Sequence, residues 1–403
     1  MRTDLKDMLK ATRLTVAGRL TEATAFLQHL LAGNRAGKAN RRDDSETPPH
    51  RSANRTIADP GSAPRNPRPL LPDTIRAMLE SGRPPAFKLP SEPPGSRAPG
   101  EVVASYGRAR FLAASYSNAA GARPYKIFIP SGYRGEPVPL IVMLHGCTQS
   151  PDDFAVGTRM NIFAEQETCI VVYPAQTPDA NGSRCWNWFA AEHQQRARGE
   201  PSLIAGITRC VMSEYAIDPD RVYAAGLSAG GAAAAVLGDA YPDLYAAIGV
   251  HSGLACGAAK DVPSALAVMR AGKAVRNRMD AGASVRVKAA KLPVIVFHGD
   301  ADKTVHPTNG DAVIAGAIGA ASLAKDVRHG SVPGGRAYTR ILYCDANGRT
   351  TLEQWSIHGG GHAWAGGDTR GSYTDPSGPD ATREMIRFFL EHPRADRPPL
   401  PPT

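Results

Sequence analysis

The segment Gly226-Leu227-Ser228-Ala229-Gly230 carries the most information about the architecture of this chain, because of the segments on either side of it. It follows Arg221-Val-Tyr-Ala-Ala225, which favours a short β-strand, and it precedes an alanine-rich segment to Asp239 that favours a helix. A serine at such a strand-to-helix turn has its hydroxyl lifted clear of the sheet, where the N-terminus of the helix favours negative charge. The segment therefore predicts a nucleophilic serine, Ser228. The alternative is a structural glycine-rich turn.

The chain also contains an acid and a base in a defined order. Leu292-Pro-Val-Ile-Val-Phe297 predicts a buried parallel strand, and the acidic residues Asp300 and Asp302 follow it. A second strand-like segment, residues 351–357, is followed by the glycine-rich loop that carries His362. Ser, Asp and His in this chain order are typical of α/β-hydrolases and differ from the orders in chymotrypsin-like and subtilisin-like enzymes. We therefore predict an α/β fold of the α/β-hydrolase type, with a mostly parallel central sheet and helices on both faces.

Chemistry assigns a role to each of these residues. A serine hydroxyl is a weak nucleophile at neutral pH, so we predict that His362 takes its proton during attack and returns it to the leaving alkoxide. Asp302 is the predicted carboxylate that fixes the imidazole tautomer, and Asp300 is the alternative because it follows the same strand. Three further histidines could compete as the base and are interpreted as hydrogen-bonded structural residues: His298, His306 and His358.

The developing oxyanion needs hydrogen-bond donors. We predict that these are the backbone N–H of Ala229, directly after the nucleophile, and that of Cys147, in the loop after the strand-like segment 139–144. Three tryptophans on neighbouring loops are predicted to be exposed and to line the substrate groove, with ordinary packing as the alternative: Trp186, Trp188 and Trp364. The chemistry requires no metal and no cofactor, and the sequence has no zinc-ligand spacing or dinucleotide fingerprint.

Four segments together resemble the poly(3-hydroxybutyrate) depolymerase family of esterases: Leu144-His-Gly-Cys-Thr-Gln-Ser-Pro-Asp-Asp-Phe154, Cys185-Trp-Asn-Trp-Phe189, the Gly226 turn and Gly361-His-Ala-Trp364. Residues 123–133 resemble the strand that opens that family's catalytic domain. The resemblance implies Ser228 as nucleophile, Asp302 as acid, His362 as base and the Cys147 loop as part of the oxyanion hole. It implies a serine esterase, with poly- or oligo-(3-hydroxyalkanoate) as the expected substrate. Acetyl or feruloyl esters on plant polysaccharides are the alternative, since the family includes such enzymes.

Composition divides the chain into four predicted parts. Residues 1–32 predict an amphipathic helical segment, residues 33–104 a Pro/Arg-rich disordered linker, residues 105–392 the catalytic domain and residues 393–403 a Pro-rich tail. Nearly all of the formal net charge of +9 lies in residues 1–110. A basic segment favours contact with a granule coat or another anionic surface, although we favour a solvated tail. Basic residues are not interleaved with aromatic ones, so no specific nucleic-acid binding is predicted. A granule- or membrane-associated binding protein with a vestigial hydrolase domain is the alternative of another class.

The cysteines and the N-terminal residues bear on location. Cys185 and Cys256 are predicted to lie on loops near the site, where they could pair with each other or with Cys147. Members of the resembled family are commonly secreted, which implies an extracellular location. Residues 1–32 are too charged for a secretory signal, so a cytoplasmic, granule-associated location is the alternative.

Overall fold

The computed structural model describes residues 109–271, 292–319 and 321–394. The predicted helical segment 1–32 and the predicted linker 33–104 lie outside the described residues, as does most of the predicted tail. Among the described residues, no helix combines the length and the apolar character that a membrane crossing requires.

Strands and helices alternate through most of the described chain. The strands are β1 (Arg110–Asn118), β2 (Gly121–Ile129), β3 (Val138–Leu144), β4 (Ile170–Pro174), β5 (Ile217–Leu227), β6 (Ala247–His251), β7 (Val294–Gly299), β8 (Ala324–Ser331), β9 (Ala337–Cys344), β10 (Thr350–Ile357), β11 (Trp364–Ala365) and β12 (Thr374–Asp375). The helices are α1 (Pro151–Thr158), α2 (Met160–Gln166), α3 (Gly199–Glu214), α4 (Ala229–Ala240), α5 (Val262–Ala271), α6 (Thr308–Ile318) and α7 (Ala381–Leu390), with a 3₁₀ turn at Ala191–Gln194.

Within the described residues, ten strands form one sheet in the order β1-β2-β4-β3-β5-β6-β7-β10-β9-β8. The central strands from β4 to β10 pair in parallel. The strands at both edges pair antiparallel. Strands β3, β4, β6 and β7 are buried along their whole length. Their continuous apolar character follows from this position, because a parallel strand in this fold is covered on both faces.

Two hydrophobic layers cover the two faces of the sheet. Alternate residues of β3 enter different layers, with Leu140 and Val142 in one and Ile141 and Met143 in the other. Helices α3, α4, α5 and α6 contribute to the first layer, and α1, α2 and α7 contribute to the second. The predicted α/β-hydrolase fold, with a mostly parallel sheet between helices, is confirmed. Because the central strands are parallel, the loops after β3, β5, β6, β7 and β10 meet at one edge of the sheet.

Candidate active site

Ser228 lies at the turn between β5 and α4, where its backbone adopts φ 57° and ψ −119°. Such a conformation is strained for a residue with a side chain and persists only when the surroundings enforce it. The flanking glycines explain how the turn forms. A Cβ on Gly226 would clash with the carbonyl of Gly230, and a Cβ on Gly230 would clash with the carbonyl of Leu144. The two glycines of the motif are therefore required by close backbone approach, and Ser228 is held at the edge of the sheet.

Asp302 and His362 lie together in the structure, as the sequence predicts. The Nδ1 atom of His362 is 2.7 Å from Oδ2 of Asp302, whose side chain is fully buried. Oδ1 of Asp302 accepts the backbone N–H groups of Thr304 at 2.8 Å and Val305 at 2.9 Å. Burial alone would raise the pKa of Asp302, but His298, at 3.4 Å, and the hydrogen bond from His362 outweigh it. The pKa of Asp302 therefore lies well below its ordinary value, and the carboxylate is charged at neutral pH.

Asp300, the alternative acid, makes a different pair. Its Oδ2 is 3.0 Å from Nδ1 of His358, and its Oδ1 accepts the N–H of Gly359 at 2.7 Å. Both side chains of the pair are nearly half exposed, at 46% for Asp300 and 45% for His358. The geometry therefore separates the two acids, with Asp302 buried against His362 and Asp300 at the surface. The catalytic roles of Ser228, Asp302 and His362 stay predictions.

The strand register explains why these residues converge. Leu227, directly before Ser228, lies opposite His251 of β6, which lies opposite Phe297 of β7. Ile357, the last residue of β10, lies opposite Gly299 at the end of β7. The loops that carry the serine, the acid and the histidine follow β5, β7 and β10. These strands lie in the order β5-β6-β7-β10, so the three loops begin close together at the same edge of the sheet. The backbone N–H of Ser228 donates to the carbonyl of His251, and its carbonyl accepts the N–H of Ala232. Hydrogen bonds to a nucleophilic hydroxyl often tighten only when substrate binds.

His251 supports this edge and was not singled out from the sequence. Its carbonyl accepts the N–H of Ser228 at 2.9 Å, and its Nε2 accepts the N–H of Ala365 at 3.0 Å. The ring is fully buried and stacks on Phe297 and Trp364. Burial lowers the pKa of His251 to about 3, so the ring is neutral. It thus connects the nucleophile turn to the strand that follows His362.

The loop after β3 lies against the serine. A Cβ on Gly146 would lie 3.7 Å from Cβ of Ser228, so the Gly146–Cys147 peptide borders the nucleophile. The neutral ring of His145, whose pKa burial lowers to about 4, accepts the N–H of Gln176 through Nε2 and donates from Nδ1 to the carbonyl of Gly146 at 2.7 Å. Because the carbonyl and the next N–H point in opposite directions in a trans peptide, this bond fixes the direction of the Cys147 N–H.

The two predicted oxyanion donors are available for a ligand. The N–H of Ala229 is the first of α4, where helical N–H groups have no partner within the helix. Within the described residues, neither this N–H nor that of Cys147 donates to another group. The arrangement can therefore stabilise negative charge beside Ser228. The assignment of these two groups as the oxyanion hole stays a prediction.

A disulfide bond links the loop after β3 to a more distant segment of the chain. It joins Cys147 to Cys185, which selects one of the pairings that the sequence left open and excludes Cys185–Cys256. The bond ties the loop after β3 to the segment that carries Trp186 and Trp188. Within the three described ranges, no cluster of three or more His, Cys, Asp or Glu side chains has the arrangement of a metal site.

The expectation that the three tryptophans are exposed is wrong. Trp186 and Trp364 are 0% and 1% exposed, and Trp188 is 6% exposed. The indole N–H of Trp186 donates to the carbonyl of His145 at 3.0 Å, and that of Trp364 donates to Oγ1 of Thr382 at 2.9 Å. Both polar groups are satisfied inside the protein, so the rings fold back into the core beneath the site. We therefore assign none of the three tryptophans to the substrate groove.

The aromatic side chain that does face solvent beside His362 is Tyr373, which the sequence reasoning missed. Its ring lies edge-on to the His362 ring, with centroids 6.5 Å apart, and it is 40% exposed. Tyr373 follows Gly371 and Ser372 in a segment without strand or helix periodicity, so no sequence pattern pointed to it.

Comparison with known proteins places the sequence in a family. Residues 123–324 match the family described as esterase PHB depolymerase. The chain is 29% identical over 238 residues to poly(3-hydroxyalkanoate) depolymerase C of Paucimonas lemoignei, a match that covers 58% of this chain and 56% of that protein. It is 31% identical over 251 residues to poly(3-hydroxybutyrate) depolymerase of Ralstonia pickettii, with coverage of 59% and 49%. The chain thus spans about half the length of these curated relatives.

A solved structure supports the fold assignment. The acetyl xylan esterase from Aspergillus awamori superposes with a TM-score of 0.54, covering 71% of this chain and 100% of that chain. The two sequences are 19% identical, so the likeness concerns the fold.

Proposed function

Because this chain belongs to the PHB depolymerase family of esterases, we propose that it hydrolyses carboxylic esters through an acyl-enzyme formed on Ser228. The observation that carries the proposal is the hydrogen bond between the buried carboxylate of Asp302 and His362, at the sheet edge where the strained turn holds Ser228. The proposed substrate is a poly- or oligo-(3-hydroxyalkanoate), in line with the names of the two bacterial relatives.

Acylation begins with attack of Ser228 Oγ on the ester carbonyl carbon. Since Nδ1 of His362 donates to Asp302, Nε2 is the nitrogen with the free electron pair and takes the hydroxyl proton. The charged carboxylate of Asp302 stabilises the imidazolium that results. The negative charge on the former carbonyl oxygen is met by the N–H groups of Cys147 and Ala229. The bond to the alcohol oxygen then breaks, and the alkoxide receives the proton from Nε2.

Deacylation repeats these steps with water. A water molecule loses a proton to Nε2 of His362 as its oxygen attacks the acyl carbon. The oxyanion again lies on the Cys147 and Ala229 N–H groups. Collapse releases the carboxylic acid, and His362 returns the proton to Ser228 Oγ. The cycle uses no group outside this chain except the ester and water.

A covalent trap tests the nucleophile directly. We expect a phosphonate ester directed at active serines to add one adduct per chain, and peptide mass spectrometry to locate it on Ser228. Ser252 supplies a matched control, because it also follows a strand of the same sheet and also has a positive φ of 48°, but its side chain is fully buried. Labelling should disappear in Ser228→Ala and persist in Ser252→Ala. An adduct on another residue would contradict the proposed nucleophile.

A panel of esters tests the substrate class. Wild-type protein should hydrolyse soluble oligomers of 3-hydroxybutyrate faster than acetylated xylan oligomers or methyl ferulate. A preference for either saccharide-type substrate would keep the proposed chemistry and replace the proposed substrate.

A further inference from the structure

Tyr373 lies between His362 and the loop that carries Cys147. Its ring is edge-on to His362, and its hydroxyl is 3.3 Å from Oγ1 of Thr148, the residue after Cys147. It therefore connects the proposed base to the loop of the proposed oxyanion hole. It is also one of the few large apolar side chains that the described residues leave exposed. An exposed aromatic ring in such a position offers an apolar face to a ligand.

The backbone that carries this ring is held in an unusual conformation. Tyr373 has a φ of 53° and Thr148 a φ of 67°, values that side chains of this kind rarely adopt. The carbonyl of Tyr373 accepts the N–H of Trp364 at 2.7 Å, at the start of the β11–β12 pairing. The position of the ring is thus enforced by main-chain contacts on the segment that follows His362.

A network of hydrogen bonds connects the segment that carries Tyr373 to the loop after β3, which carries Cys147. Asp153 accepts the N–H of Ser372 at 2.9 Å, and Nε2 of Gln149 donates to the carbonyl of Ser372 at 3.1 Å. The same Gln149 accepts the N–H of Gly146 through Oε1 at 2.9 Å. One buried glutamine therefore fixes both the loop that carries Cys147 and the segment that carries Tyr373. The ring and the loop that carries Cys147 therefore keep a defined relative position.

We propose that Tyr373 contacts the alcohol portion of the ester and sets the preference for it, an inference that rests on the proposed function. The leaving oxygen must lie within hydrogen-bond distance of His362 Nε2 to receive its proton. The carbonyl oxygen must lie at the Cys147 N–H. A ring that borders both His362 and Thr148 lies beside the ester bond, on the side where the alcohol departs. The alcohol class that fits is one with an apolar body of several carbons, such as the next unit of a hydroxyalkanoate chain.

The test varies the two halves of the ester separately. One series keeps the butanoyl group and changes the alcohol from methanol to hexanol or benzyl alcohol. The other keeps methanol and lengthens the acid from butanoate to octanoate. The variant Tyr373→Asn removes the ring and retains a residue that tolerates a positive φ. Tyr373→Phe keeps the ring and loses only the contact with Thr148. Val327→Ala, on the exposed edge strand β8, is the surface control.

We expect Tyr373→Asn to lower kcat/KM for the hexyl and benzyl esters by roughly ten-fold relative to the methyl ester, the size of a lost apolar contact in a substrate pocket. Tyr373→Phe and Val327→Ala should retain the wild-type preference. If Tyr373→Asn does not fold, Tyr373→Gly gives the same comparison, because glycine also accepts a positive φ and has no ring.

Two results would overturn the inference and leave the proposed function intact: an equal loss on all alcohols, or a loss that follows the length of the acid. Failure of the proposed function is recognised separately, because wild-type protein would then hydrolyse none of the esters above the level of Ser228→Ala.

Discussion

Replacement of Asp302 by asparagine should inactivate the protein, whereas the same change at Asp300 should not. The structure explains the difference through the proton on His362. In Asp302→Asn, the amide oxygen can still accept the N–H groups of Thr304 and Val305, as Oδ1 does now. The amide NH₂ then occupies the position of Oδ2 and donates to Nδ1 of His362. The hydrogen of the neutral ring moves to Nε2, which can no longer take a proton from Ser228.

The size of the effect follows from this loss of the correct tautomer. We expect kcat to fall on the order of 10⁴-fold, the cost of this change in a serine triad. Such a fall corresponds to about 5.4 kcal/mol of lost transition-state stabilisation. In Asp300→Asn the affected pair is nearly half exposed, and exposed pairs contribute about 0–1 kcal/mol. The kcat of that variant should stay within about five-fold of the wild-type kcat.

The assay measures kcat and KM for 4-nitrophenyl butanoate with both variants, together with their thermal unfolding. KM should change little in Asp302→Asn, because the carboxylate acts on His362 and not on the bound ester. The reasoning would be refuted if folded Asp302→Asn kept more than a tenth of the wild-type kcat. Equal losses in the two variants would also refute it, since Asp302 is hydrogen-bonded to His362 whereas Asp300 is hydrogen-bonded to His358.

Three further predictions concern the scaffold of the site. Gly230→Ala should lower stability by about 1–3 kcal/mol and abolish ester hydrolysis, because the new Cβ meets the carbonyls of Leu144 and His145. Gly182→Ala, where a Cβ meets open space, should leave both stability and hydrolysis intact. Thermal unfolding distinguishes the two variants, and equal melting temperatures would contradict the clash at Gly230. Burial lowers the pKa of His145 to about 4 and that of His251 to about 3. Below the unfolded pKa of about 6.5, unfolding therefore takes up protons. The free energy of unfolding should decrease as the pH is lowered from about 6.5, by roughly 1.4 kcal/mol per pH unit for each ring. Urea unfolding at pH 7 and pH 5 checks this, and a flat profile would argue against the neutral, buried rings. Cys185→Ala should lower the free energy of urea unfolding by about 2–4 kcal/mol, because it breaks the disulfide to Cys147, 38 residues away in the sequence. Cys210→Ala, at a free cysteine, should lower it by less than about 1 kcal/mol. Comparable losses in the two variants would contradict a stabilising role for the disulfide.

The fold and the Asp302–His362 pair could be predicted because local signals carried them. Ser228, Asp302 and His362 each follow a strand-like segment, and the carboxyl ends of parallel strands meet at one edge of the sheet. The sequence contained less evidence for choosing Asp302 over Asp300, because both acids follow the same strand. What separates them in the structure is burial against different histidines, which depends on the path of the loops after β7 and β10.

Which aromatic side chains are exposed near the site could not be predicted, because exposure depends on how the loops fold back. Trp186 was expected at the surface, but its indole N–H finds the carbonyl of His145 and its ring is buried. Tyr373 is exposed because contacts distant in sequence, from Trp364 and Asp153, hold its segment in place. Neither outcome leaves a periodic pattern in the sequence. The Cys147–Cys185 pairing was one of several that the sequence permitted, for the same reason.

The most direct test of the proposed function is the release of 3-hydroxybutyrate from amorphous poly(3-hydroxybutyrate) and its soluble oligomers by the purified 403-residue chain. Ser228→Ala, which lacks only the nucleophilic hydroxyl, is the blank. We expect the wild type to release acid steadily and the variant to release none above the uncatalysed rate. Equal release by the two proteins, or release by neither with every ester tried, would contradict an esterase that acts through Ser228.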